Sequence, residues 1–210
     1  AIMLALFLGV RRLLQIKKPQ SVPPGDPLTV LAALGARLDE LVDAAGPARW
    51  NTDTPAAGWD VAMQIAHLTW TDEVSVLAIT DPEAFATVVE VANADVSGFV
   101  DAGADEIASA GRDEVLARWR RARGELADAL AAVDPGDKLP WFGPPMRPGS
   151  MIAARIMETW AHGVDVADGL GIVTGDDPAF VAALPQVAKL GFKTRAFAYM
   201  MNGLEAPTSE

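Results

Sequence analysis

From about residue 27 onward the chain alternates two textures. Long stretches in which apolar residues recur every three or four positions are separated by short runs rich in proline, glycine and aspartate, which predicts helices joined by turns. Leu28, Val30, Leu31, Leu34, Leu38, Leu41 and Val42 form one apolar face opposite Arg37, Asp39 and Glu40, so a first helix is expected from about Leu28 to Ala45, stopped by Gly46-Pro47. A second starts near Trp59 or Asp60, with Asp60 as cap, and turns Val61, Ile65, Leu68, Val74, Leu77 and Ala78 inward. Asp81-Pro82 opens a third, which Phe85, Val88, Val89, Val91, Val96, Phe99 and Val100 carry, with or without a break, to about Gly103.

Arg112 or Asp113 begins an amphipathic helix to Val133, with Val115, Leu116, Trp119, Leu126 and Leu130 inward. The run Trp141 to Gly149 holds too many prolines and glycines for a helix interior and reads as a restricted aromatic loop. Ser150 is expected to cap a helix carrying Met151, Ile152, Ile156, Met157, Trp160, Val164 and Leu170, closed by Gly169 and Gly171. A further helix runs from Asp177-Pro178 to about Leu190. The tail beyond Gly191 is ambiguous, with a weak strand signal from Phe192 to Tyr199. The predicted fold is all-α: a four-helix bundle with extra short helices, and no internal repeat.

Composition narrows the partners. Half of the 210 residues are apolar, enough for one domain with a sizeable core. A net charge of -11 argues against nucleic acid, whose binding needs a basic surface. Absence of cysteine removes disulfides, thiolate ligands and any thiol nucleophile of the chain's own, so a thiol would have to arrive with a cofactor or substrate; a cytoplasmic location is compatible with this.

Residues 1–26 stand apart. Ala1 to Val10 is apolar, Arg11, Arg12, Lys17 and Lys18 follow, and Ser21 to Pro27 is a proline-stiffened linker. The charges follow the apolar run, the reverse of a secretory signal, and the run is too short to span a bilayer. An interfacial membrane anchor and a non-native or disordered extension are both open readings, and the bundle itself is assigned to residues 27–210.

The chemistry centres on the chain's two histidines, His67 and His162. Glu158 lies four residues before His162, which sets both side chains on one helix face, about 6 Å apart at the backbone. His67 on another helix could complete a three-ligand mononuclear metal site with an open position. Asp165 is placed to orient a ligand. Spacing alone leaves a second reading level with this one: two buried core histidines, and Glu158 paired with Arg155.

Two segments, Gly58-Trp59-Asp60-Val61-Ala62-Met63-Gln64-Ile65-Ala66-His67-Leu68 and Met157-Glu158-Thr159-Trp160-Ala161-His162-Gly163-Val164-Asp165-Val166-Ala167, resemble the metal-binding stretches of the DinB-like superfamily. They look most like its actinobacterial branch related to the N-terminal domain of mycothiol-dependent maleylpyruvate isomerase. The resemblance covers about Leu28 to Tyr199. It implies a four-helix bundle holding zinc or nickel through His67, Glu158 and His162. It also implies a continuation into a smaller sterol-carrier-like C-terminal domain, whereas the chain stops at Glu210.

Around such a site Trp59, Trp70, Trp141 and Trp160 could line a pocket, with Trp141 the best lid, although helical spacing favours the core for Trp70 and Trp119. Arg147 and Arg155 are candidates for binding a substrate or cofactor carboxylate. The alternatives are a solvated Arg147 and an intrahelical Arg155–Glu158 pair. Arg118, Arg120, Arg121 and Arg123 read as a solvated helix face. The resulting expectation is a metal-dependent transferase or isomerase using a low-molecular-weight thiol such as mycothiol, acting on a small molecule, with a homodimer a compatible assembly. A non-catalytic metal-binding module and a thiol-independent Lewis-acid cyclase or hydrolase are the alternatives.

Overall fold

A computed structural model describes residues 25–95 and 98–201, with side chains described as far as Gly191. The apolar and basic segment before Gly25 lies outside the described residues. Among them are seven α-helices and no strand beyond two isolated bridges: α1 Pro27–Ala45, α2 Val61–Thr80, α3 Pro82–Ala94, α4 Phe99–Ala108, α5 Arg112–Ala132, α6 Pro148–Leu170 and α7 Pro178–Met201. The all-α bundle is as the apolar spacing implied. None of the described helices is both long and apolar enough to cross a membrane.

Helices α1, α5, α2 and α6 pack in a ring, each against the next and α6 against α1, while α7 covers the α1–α6 seam and α4 covers α2. The ring is stitched between layers by arginines from α5. Arg118 makes a two-pronged bond to Glu73 on α2 at 2.6 and 2.8 Å, and Arg120 and Arg123 converge on Asp39 of α1. The arginine face is thus partly a set of ties between helices. Arg123 also lies over the Trp119 ring, 4.2 Å from its centroid.

The two helices that matter most are buried nearly all round. On α2 the buried set includes Gln64, His67, Thr69, Thr71, Asp72 and Ser75, and on α6 every residue from Arg155 to Ala167 is buried. Buried hydroxyls on α2 are satisfied within the helix: Thr69, Thr71 and Ser75 each donate to the carbonyl four residues back, at 2.7 to 2.9 Å. Polar residues therefore sit inside α2 without breaking it, while α1 keeps an ordinary wet face.

Boundaries follow local chemistry. Asp26, Asp60 and Asp81 cap α1, α2 and α3, each accepting from the amide three residues on. The stretch after Asp81 is two helices, ending at Ala94 and resuming from Phe99 to Ala108, with Gly98 donating its amide to the Asp95 carboxylate. Ser150 is not the cap of α6. The helix begins at Pro148 because Arg147, preceding a proline, is held extended at φ -75° and ψ 153°, and proline is well suited to the first helical position. Helix α7 runs past Leu190 to Met201 with Pro185 inside it, so the weak strand signal at 192–199 is overridden.

Candidate metal centre

His67 comes from the second turn of α2, and Glu158 and His162 from consecutive turns of α6. Glu158 Oε2 lies 3.4 Å from His67 Nε2 and 3.3 Å from His162 Nε2, and the two imidazole centroids are 4.6 Å apart. All three are buried, His67 and His162 to 1 % exposure and Glu158 to 8 %. One ligand atom from each lies within 4.8 Å of the others, so the three form a group able to hold a metal ion.

The donor set fits a metal better than a closed hydrogen-bond cluster. His162 Nε2, the nitrogen facing Glu158, makes no hydrogen bond of acceptable geometry although Glu158 Oε2 is 3.3 Å away. Orphaned polar atoms at this depth each cost about 1–3 kcal/mol unless something satisfies them. Ligands about 2.0–2.2 Å from a tetrahedral ion stand about 3.3–3.6 Å from one another. The two carboxylate–imidazole separations fall in that range.

Protonation favours ligation. Burial pushes His67 down to about 4, against a smaller upward pull from Glu158, so its imidazole is neutral near pH 7, the form that binds metals. Burial raises the Glu158 carboxyl, but the polar imidazoles of His162 and His67 beside it together outweigh burial and hold the group well below the usual carboxylate range. A neutral imidazole beside an ionised carboxylate is a ready ligand pair.

Aromatic rings wall this cluster. Trp59 lies against both histidines, 5.1 Å from the His67 ring and 5.8 Å, stacked, from that of His162. Trp70 stands 6.4 Å from His67 and continues through Phe142 to Phe85 and Trp141. The Trp141–Gly149 loop is closed by a bridge in which the amides and carbonyls of Leu139 and Met146 pair at 2.8 and 2.9 Å. Trp141 therefore belongs to a wall joined to the site through other rings. Trp160, a candidate pocket residue, is in the core, and Trp70, expected in the core, packs against it while half-buried, with its ring 6.4 Å from that of His67.

The remaining candidates are dispersed. Arg147 is exposed at the head of α6. Arg155 is 2 % exposed and bonds Asp72 of α2, Nε to Oδ1 at 3.0 Å, rather than Glu158. Its second nitrogen is 2.9 Å from the same oxygen but at an angle too poor for a hydrogen bond. Asp165 is buried on α6, and the bond at His162 Nδ1 goes to Gln64, one turn before His67 on α2. Gln64 was missed; its signal was an amide placed among apolar residues three positions before a candidate ligand.

Comparison with known proteins gives the chain a context. Residues 31–167 match the family model described as the mycothiol maleylpyruvate isomerase N-terminal domain. Two uncharacterized proteins of Mycobacterium tuberculosis, one from strain CDC 1551 / Oshkosh and one from strain ATCC 25618 / H37Rv, are each 47% identical to it over 184 residues, 88% of this chain and 70% of the relative. No solved structure matches it.

Proposed function

Because the chain belongs to the mycothiol maleylpyruvate isomerase N-terminal domain family, we propose that it binds one divalent metal ion through His67, Glu158 and His162 and serves thiol-dependent transfer or isomerisation of a small molecule. One observation carries this reading. Three ligand atoms from two buried helices converge within 4.8 Å while His162 Nε2 has no hydrogen-bond partner.

Zinc or nickel suits two imidazoles and a carboxylate. When bound, such an ion supplies Lewis acidity toward a substrate oxygen or lowers the pKa of a thiol or water. The chain's own residues do the rest. Glu158 sets the charge of the site, and the two imidazoles add nitrogen donors, His67 in its neutral form. Trp59 packs over both rings and keeps bulk water from them, while the wall of Trp70, Phe142 and Trp141 offers apolar faces to a substrate. With no cysteine in the chain, the nucleophile in this scheme is a small thiol such as mycothiol. Exposed Arg147 is a candidate for a substrate carboxylate.

Elemental analysis of the purified protein tests the premise. One equivalent of metal is expected, lost in His67→Ala and His162→Ala; stoichiometric metal surviving both substitutions would place the ion elsewhere. Adding a low-molecular-weight thiol to the cobalt-substituted protein is expected to shift its visible spectrum. A spectrum unmoved by saturating thiol would favour a metal-binding module without thiol chemistry.

A further inference from the structure

We infer that Gln64 is a positioning residue that fixes which nitrogen of His162 carries the hydrogen, so that Nε2, facing Glu158, presents a lone pair. One proton, that of the Thr54 hydroxyl, decides the orientation. Thr54 Oγ1 lies 2.7 Å from the Trp59 carbonyl oxygen, which can only accept, so the single hydroxyl hydrogen of Thr54 is used there. That leaves Oγ1 only acceptor capacity toward Gln64, whose side-chain nitrogen is 2.9 Å away. Gln64 must therefore turn its NH2 to Thr54 and its Oε1 to His162.

An amide oxygen accepts, so His162 Nδ1, against it, donates. A neutral imidazole has one N–H, and Nε2 is left with its lone pair. That nitrogen is the one with no hydrogen-bond partner, 3.3 Å from Glu158 Oε2. Two lone-pair atoms facing each other across such a gap repel unless a cation lies between them. Gln64 thus holds the ring in the ligating form at the expense of an internal His162–Glu158 hydrogen bond.

The relay is anchored outside the bundle. The Thr54 amide also donates to the Trp59 carbonyl at 3.0 Å, and Asp53 and Asp60 form an antiparallel bridge, so the loop before α2 sets the orientation of the hydroxyl. Gln64 is fully buried, which leaves water no share in the bond. The loop carrying the Trp59 ring over the two histidines is thus also the loop that reads into the His162 tautomer.

This inference rests on the metal-binding reading, and the test separates the two. Long-range ¹H–¹⁵N NMR of the metal-free protein near neutral pH reports the tautomer of His162 without any metal, and zinc affinity is measured by competition with a chromophoric chelator. In the unsubstituted protein Nδ1–H is expected. Gln64→Leu, similar in size but unable to accept, is expected to mix the tautomers and weaken zinc about 10–100-fold. Gln64→Glu, which still accepts, is expected to keep Nδ1–H and stay closer to the original affinity, and Thr54→Val should fall between them. Near-UV circular dichroism confirms that each variant folds.

A role in space-filling alone predicts the opposite ranking, with Gln64→Leu binding zinc at least as well as Gln64→Glu, and that result would overturn the inference. So would a metal-free protein with His162 predominantly protonated on Nε2. If Nδ1–H is found and zinc is not taken up, the relay stands and the metal-binding reading falls.

Discussion

Along their shared contact α2 and α6 bury two groups of charged side chains: Asp72 with Arg155, and His67 with Glu158 and His162. Both groups lie at comparable depth, with Asp72 and Arg155 at 4 % and 2 % exposure and the other three between 1 % and 8 %. Their internal accounts differ. Asp72 and Arg155 are of opposite sign and cancel, and a hydrogen bond joins them. Glu158 faces two imidazoles, of which His67 is neutral near pH 7, so the carboxylate has no permanently charged partner within the cluster, and His162 Nε2 beside it has no hydrogen-bond partner. A buried charge that the protein balances itself is a structural element, and one it leaves unbalanced is an invitation to a cation. The same two helices thus carry an ordinary buried ion pair and a candidate binding site, told apart by whether a fixed charge of opposite sign is present.

Asp72→Ala should produce the largest effect on stability, because it strands the Arg155 charge. Loss of one partner of such a pair costs about 3–5 kcal/mol, read by urea denaturation, while zinc binding in the folded fraction is retained. A small loss would mean that Arg155 has another counterion. Replacing both by apolar residues, as in Asp72→Leu with Arg155→Met, should recover most of it.

Acid should distinguish the two groups next. Between its unfolded value of 6.5 and its folded value of about 4, residue 67 is protonated in the unfolded chain but not in the folded one. Stability of the metal-free protein is therefore full above that window and is lost as pH falls through it, by on the order of 3 kcal/mol. Glu158, whose folded pKa is depressed, acts in the same sense at lower pH. Asp72 acts in the opposite sense: burial outweighs Arg155 and raises its folded pKa, so its contribution is lost as pH rises through that value. Denaturation series on metal-free protein, original and His67→Leu, check this; the variant should show a flatter decline between pH 6.5 and 4.

His67→Ala should weaken zinc by at least about a hundredfold, given the 10–16 kcal/mol that full structural sites supply, yet cost the metal-free fold less than Asp72→Ala does. Isothermal titration and thermal melts read the two quantities separately. Smaller still is Gly103→Ala on α4. A Cβ there would stand 2.5 Å from the Trp70 indole nitrogen, so the ring beside His67 must move, at about 1–3 kcal/mol. Chemical shifts of His67 should change while those around Arg155 stay put.

Much of this was legible in the sequence where one short-range signal sufficed. Asp60, Asp81 and Gly171 marked helix ends, and the four-residue step from Glu158 to His162 put two donors on one face. What was not legible depends on contacts between distant segments. Arg155 has Glu158 three residues away and Asp72 across the bundle, and only packing decides that it pairs with Asp72. Gln64 takes His162 Nδ1 although Asp165 lies three residues along the same helix. The relay through Thr54 needs a loop whose backbone bridge has no sequence periodicity. Trp70 packs against the core as its helical spacing implied, but that spacing carries no sign of the imidazole its ring also faces.

His67 and Glu158 are 91 positions apart in the chain. An ion held by both would close that long loop, and because the unfolded chain has no assembled site, its binding energy would count directly toward the native state. At a free concentration one hundred times its dissociation constant the gain is about 2.7 kcal/mol. The lifetime of the bundle would then vary with metal supply, and a starved cell would hold less of the protein.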